Sequence, residues 1–172
     1  NEVLPYYFTT DLLGAAMDAR VLESLLKRRC PNLHTLLVSK YQEGLSELLL
    51  ALIGRLFPSL FLNDVMPSQA LRIWDLVMLR GSAELFELML RIQIYAYNHK
   101  WVDASATWPD LTVFIYTELM AMTTLDRLLQ VPIPNGHVLT DDLRARRAAA
   151  ARIIFLELEQ RSRASKNVNE KL

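Results

Sequence analysis

One cysteine, five glycines and no surplus of charge are what this 172-residue chain has least of, and each shortage removes a class of protein. The lone thiol, Cys30, cannot close an internal disulfide, which excludes a disulfide-stapled secreted scaffold and fits a reducing, cytoplasmic setting. So few glycines, so widely spread, build no Gly-rich loop to cradle a phosphate. Nineteen basic and nineteen acidic side chains cancel. No global field therefore draws in nucleic acid, which is not expected as a partner, and a membrane surface would need a local patch. Long hydrophobic runs are missing too. The most apolar stretch, Leu45 to Leu62, contains Glu47, Arg55 and Pro58. Its uncharged part, Leu48 to Gly54, falls far short of the about 20 residues that a bilayer helix requires. The opening Asn1-Glu2 lacks the basic start of a signal peptide, and Pro5 interrupts its short apolar patch. With no initiator methionine, Asn1 reads as a cut or cloned end, so the chain is expected to be a piece of something larger.

Catalytic groupings are equally scarce. His34, His99 and His137 are scattered, with no second ligand at metal spacing. Ser24, Ser39 and Ser46 lack a G-x-S-x-G setting, and Cys30 lacks an evident activating base. Neither metal nor cofactor nor an enzyme site is expected. Runs of alternating β-branched residues are absent as well, which argues against a substantial sheet, and no fixed-period repeat points to a solenoid.

What remains is helical periodicity. With 52% apolar and 22% charged residues the chain belongs with soluble globular proteins, and its length suits one core. Thr10 or Asp11 caps a short turn ending near Gly14, and Asp18 caps a helix with Val21, Leu22, Leu25 and Leu26 on one face. Pro31 starts the next helix. After Gly44, the residues Leu45, Leu48, Leu49, Leu52, Ile53 and Leu56 recur at three- and four-residue steps, with enough leucine for burial on more than one side. Pro67-Ser68 opens a helix whose apolar residues are Leu71, Trp74, Leu76 and Leu79, stopped by Gly81. Ser82 caps Leu85 to Tyr97, with Phe86, Met89, Leu90 and Ile94 inward. Lys100 to Thr107 reads as irregular, and Pro109-Asp110 opens a helix to Met122, with a short one over Thr124 to Leu129. The spacing predicts a body over 1–131, a Pro/Gly linker over 132–139, a helix over 140–164 capped by Thr140 or Asp141, and a polar tail over 165–172.

Within this pattern several residues stand in an order that resembles a known family. Tyr7-Phe8, Gly14, Asp18, Val21-Leu22, Leu25-Leu26, Pro31 and Leu33 are followed by Pro67, Leu71-Arg72-Ile73-Trp74-Asp75, Gly81 and Leu85-Phe86. From Tyr6 to about Tyr97 the chain is similar to the second half of a TBC domain, the all-helical domain of Rab GTPase-activating proteins. The fold class is accordingly all-α, an irregular multi-helix bundle like the C-terminal subdomain of that domain. Tyr7, Phe8, Gly14, Asp18, Pro31, Arg72, Trp74, Asp75, Gly81 and Phe86 are the structural residues the resemblance marks. The chain departs from the family pattern where Ala51-Leu52-Ile53-Gly54 stands in place of a Trp-Phe pair and where the loop Ser59 to Met66 is longer.

The resemblance implies a mechanism in which two side chains enter the GTPase. An arginine from I-x-x-D-x-x-R stabilises charge on the transferring phosphoryl group, and a glutamine from Y-x-Q orients the attacking water. Both belong to the family's first half, and neither motif occurs in this sequence. Two look-alikes do occur. Val138-Leu139-Thr140-Asp141-Asp142-Leu143-Arg144 has the arginine spacing but follows the Trp-Asp helix. Tyr41-Gln42-Glu43-Gly44 has its glutamine one place early and reads as a helix end. The implied partners are a Rab-type GTPase, through the complete domain, and the N-terminal half of that domain. A helical adaptor without activating function is the alternative. In the last helix, Arg144, Arg146, Arg147 and Arg152 crowd an apolar stripe of Ala151, Ile154, Phe155 and Leu158, which docks on the body or meets a partner, an endomembrane surface or a coiled-coil mate.

Overall fold

The computed structural model describes residue 7 and residues 13–42, 44–122 and 125–169, with side chains in the last helix through residue 160 and at 163. Phe8, Thr10, Asp11 and Thr124 lie outside the described residues. Among the described residues every regular element is an α-helix, so the protein is all-α. The helices are α1 (Leu13–Arg29), α2 (Pro31–Tyr41), α3 (Gly44–Leu56), α4 (Pro67–Arg80), α5 (Ala83–Asn98), α6 (Trp101–Ala104), α7 (Trp108–Ala121), α8 (Asp126–Leu129) and α9 (Thr140–Asn169). None is long and apolar enough to cross a membrane.

The packing forms two neighbourhoods. α1 lies against α3, α9 and α2, while α5 gathers α4, α6 and α8 and also touches α1. α7 bridges them by packing on α3 and α6. The leucine-rich α3 is buried along Leu45, Leu48, Leu49, Leu52, Ile53 and Leu56 because it has helices on several sides. α5 goes further. Phe86, Leu88, Met89 and Leu90 are buried on successive faces, and so are Glu84, Glu87 and Gln93. A helix buried all round must find partners for such groups.

Local chemistry sets the boundaries. Pro31 and Pro67 occupy first-turn positions, where a missing N–H removes no helical bond. Gly81 ends α4 at φ 72°, a conformation that costs glycine little, and its N–H bonds to the carbonyl of Val77. Thr107 caps α7 with a reciprocal box, its hydroxyl accepting from the Asp110 N–H while the Asp110 carboxylate accepts from the Thr107 N–H. The Thr107 hydroxyl also donates to the Asp110 carboxylate at 2.8 Å, and this bond, followed by the Thr107 N–H, holds the carboxyl below the usual carboxylate range.

Five details differ from the sequence expectations. Helix α1 runs unbroken through Gly14 and Asp18, both buried, so Asp18 is a mid-helix residue with a tertiary partner and no cap. The inward face of α4 is Ala70, Ile73 and Val77, one register away from the expected stripe, which leaves Leu71 and Leu79 exposed. Ser82 precedes α5 without a capping bond, because its hydroxyl accepts from Arg147 instead. The polar segment after Lys100 holds the short α6. Finally, α9 extends to Asn169, and its buried face is Leu143, Arg147, Ala150 and Ile154, with Phe155 and Leu158 outside.

Candidate partner-binding surface

The sequence-marked residues separate into an interior group and a surface group. The interior group meets where α1, α5 and α9 converge. Arg147 of α9 donates from Nε to Asp18 Oδ1 at 2.7 Å and from Nη2 to Asp18 Oδ2 at 2.8 Å, a two-pronged pair. Its Nη1 donates to Ser82 Oγ at 3.0 Å, and Tyr7 donates its hydroxyl to Asp18 Oδ2 at 3.0 Å. The guanidinium lies 5.3 Å from the centre of the Phe86 ring, which meets Phe57 edge-on at 5.4 Å, and Phe57 in turn stacks on Tyr7 at 6.3 Å. Tyr7, Asp18, Ser82, Phe86 and Arg147 thus form one closed cluster. Burial pushes the Asp18 carboxyl up, opposed by Arg147 and by the Tyr7 hydroxyl, and burial followed by the Asp18 charge pushes the Tyr7 phenol up. The cluster fixes three helices relative to one another.

The surface group sits on α4. Trp74 is half-buried and donates from Nε1 to the carbonyl of Leu60 at 2.9 Å, pinning a turn in which Leu60 and Phe61 both have positive φ. Two consecutive non-glycine residues in that region store strain, and an anchor is needed to keep them there. The rest of the motif faces outward. Asp75 is exposed and makes no hydrogen bond or ion pair among the described residues. Arg72 is exposed and reaches Asp126 at 2.7 Å. With Leu71, Met78 and Leu79 they make an exposed face of mixed charge and apolar side chains on α4. Of the remaining marked residues, Gly14 is buried in α1, Pro31 begins α2 and Gly81 ends α4.

The look-alike residues have structural occupations. Arg144 pairs with Asp141 at 3.2 Å within α9, and Gln42 follows α2 at φ 51° with its N–H on the carbonyl of Val38. No group of three or more His, Cys, Asp or Glu among the described residues is placed to hold a metal ion. Burial pushes the Cys30 thiol up, away from the thiolate a nucleophile requires.

Two sets of working residues escaped the sequence reading. Arg147 stood only as one of a crowd of arginines. Its signal was available, because it falls on the same face as Leu143 and Ala150, and a charge on an apolar stripe implies a buried partner. The second set secures residues 129–139. Arg91 donates to the carbonyls of Leu129 (2.5 Å) and Val131. Arg29 donates to those of Gly136 and His137 (2.9 Å), and Glu87 accepts from the Val138 N–H at 2.8 Å and lies 3.0 Å from His137 Nδ1. The Pro/Gly segment is therefore strapped to the body at several points. No local pattern announces carbonyl acceptors, so these contacts were not legible.

Known proteins resemble this chain as follows. The family model of the Rab-GTPase-TBC domain matches residues 1–99. Growth hormone-regulated TBC protein 1 of Rattus norvegicus is 32% identical over 111 residues, 64% of this chain and 36% of its own length. Small G protein signaling modulator 3 of Homo sapiens is 42% identical over 91 residues, 52% of this chain and 12% of its own length. TBC1 domain family member 2B of Mus musculus is 26% identical over 157 residues, covering 90% of this chain and 15% of its own, so that similarity runs past residue 99. The chain thus spans about a third or less of these relatives' lengths. No solved structure matches.

Proposed function

The chain belongs to the Rab-GTPase-TBC domain family, and on that premise we propose that it is the C-terminal, non-catalytic lobe of an activator of Rab-type small GTPases. In this reading it braces the half of the domain that carries the arginine and glutamine fingers and offers part of the surface that the GTPase meets. The observation that carries the reading is the division of labour within the Trp-Asp motif. Trp74 turns inward to hold the strained turn at Leu60, while Arg72 and Asp75 of the same helix face solvent. A rigid frame that presents charged side chains from a helix suits a supporting and binding role. Arg144, which stands at the look-alike spacing, lies on α9 beside Asp141.

The reading assigns GTPase contact to the complete domain and requires no cofactor of the lobe itself. Its test is the coding sequence upstream of Asn1. An I-x-x-D-x-x-R followed by Y-x-Q is the expected finding; a gene lacking both would make the lobe part of an adaptor that binds partners without stimulating hydrolysis.

A further inference from the structure

Positive charge and exposed apolar side chains coincide at one end of the lobe. Lys27, Arg28 and Arg29 close α1, and the loop 132–139 lies against them because Arg29 holds the carbonyls of Gly136 and His137. Two clefts open there. One, of about 580 Å³, is lined by Arg28, Arg29, His137 and Leu139 among others. The other, of about 430 Å³, is lined by Leu79, Arg80, His137 and Leu139 among others. Sharing His137 and Leu139 makes them one continuous surface. Its apolar members project strongly: Leu79 is 82% exposed and Leu139 67%, with Met78 beside Leu79 at 85%.

The acids at this end are already engaged. Glu84 and Glu87 are buried and face Arg80, His137 and the Val138 N–H. Asp142 pairs with Arg146 at 3.0 Å and only distantly with Arg28, at 3.8 Å, and Asp141 faces Arg144. Lys27 makes no ion pair or hydrogen bond among the described residues. The result is a local basic patch on a chain of zero net charge.

We propose that this end of the lobe docks on an anionic phospholipid membrane, with Lys27 and Arg28 against lipid phosphates and Leu79 and Leu139 in the headgroup region. Cations gain from an anionic leaflet only within about a Debye length, roughly 8–10 Å. Arg28 lines one cleft together with Leu139, and Lys27 precedes it on α1. Leu79 and Leu139 line these clefts yet stay about two-thirds or more exposed, so most of each side chain projects into solvent. A projecting apolar tip flanked by cations fits a fluid interface, whereas a protein partner would have to supply a matching hollow. The site differs from the distal stripe of α9, whose Phe155 and Leu156 are exposed and line neither of these clefts. It shares Leu79 with the exposed face of α4 but does not rest on whether the lobe braces a finger-bearing half.

The test is co-sedimentation of the whole chain with vesicles of phosphatidylcholine alone and of phosphatidylcholine with phosphatidylserine at roughly three to one. Binding is expected to the second kind only and to weaken as salt is raised. Lys27→Glu with Arg28→Glu should lower it by about fivefold or more per cation. Leu79→Asp with Leu139→Asp should also lower it, while Phe155→Asp with Leu156→Asp leaves it unchanged, all at matched thermal melts. Equal or absent binding to the two vesicle types, or salt-insensitive binding by the unaltered chain, overturns the proposal without recourse to any variant. So does loss of binding in the Phe155/Leu156 variant, which would move the contact to α9.

Discussion

Arg147 is the residue whose removal should be felt most. It is almost buried, bidentate to Asp18, bonded to Ser82 and set over Phe86. Arg147→Ala leaves a desolvated carboxylate facing no cation and should cost about 3–5 kcal/mol in urea unfolding. Arg147→Met combined with Asp18→Asn should cost much less than the two single changes added, because neither partner is then left charged and alone. Additive losses would show that the pair is not coupled. The tyrosines give a pH signature. Tyr7, Tyr41, Tyr95 and Tyr116 are all pushed up, in each case first by burial. A phenol that releases its proton more readily in the unfolded chain favours the fold below the unfolded value of about 10, and that advantage drains as pH rises from there toward the folded values. Loss of helical circular dichroism should therefore begin above about pH 10, together with a step in tyrosinate absorbance. Full tyrosinate absorbance with the helices intact would contradict this. At this scale the sequence marked Asp18, Phe86 and Trp74 but not what they touch, since Asp18 and Arg147 are 129 positions apart.

Among the elements, α9 makes the sharpest distinction. Leu143 and Ile154 are buried against the body, whereas Phe155 and Leu158 are exposed. Leu143→Ala or Ile154→Ala should lower stability by about 2–4 kcal/mol, and Phe155→Ala or Leu158→Ala by no more than about 0.5 kcal/mol, read from thermal or urea midpoints. The reverse ranking would place the other face of the helix on α1. Helices were legible wherever proline, glycine and leucine spacing agreed, as at Pro31, Pro67, Gly81 and along α3. Facing was less so. In α4 and α9 apolar side chains occur on more than one side, so periodicity alone could not choose between Ile73 and Leu71, or between Ala150 and Phe155. The choice is made by tertiary packing: α5 and the Gln69–Leu125 bond for α4, and α1 with the Asp18 pair for α9. Gly14 misled for a related reason. A glycine early in a helical run reads as a stop, yet here it is buried in α1.

For the whole molecule, the all-α class and the family were legible because the motif residues keep their order over much of the chain, and the family match to residues 1–99 rests on the same stretch. The C-terminal linker and helix bond to the family region through Arg29, Arg91 and Glu87 and through the Asp18–Arg147 pair. The central claim is that this lobe supports hydrolysis without performing it. Single-turnover GTP hydrolysis by a panel of Rab-type GTPases, measured with and without excess purified chain, tests it most directly. Unchanged rates are the predicted result; a clear acceleration that Arg144→Ala removes would contradict the account and make that arginine a finger.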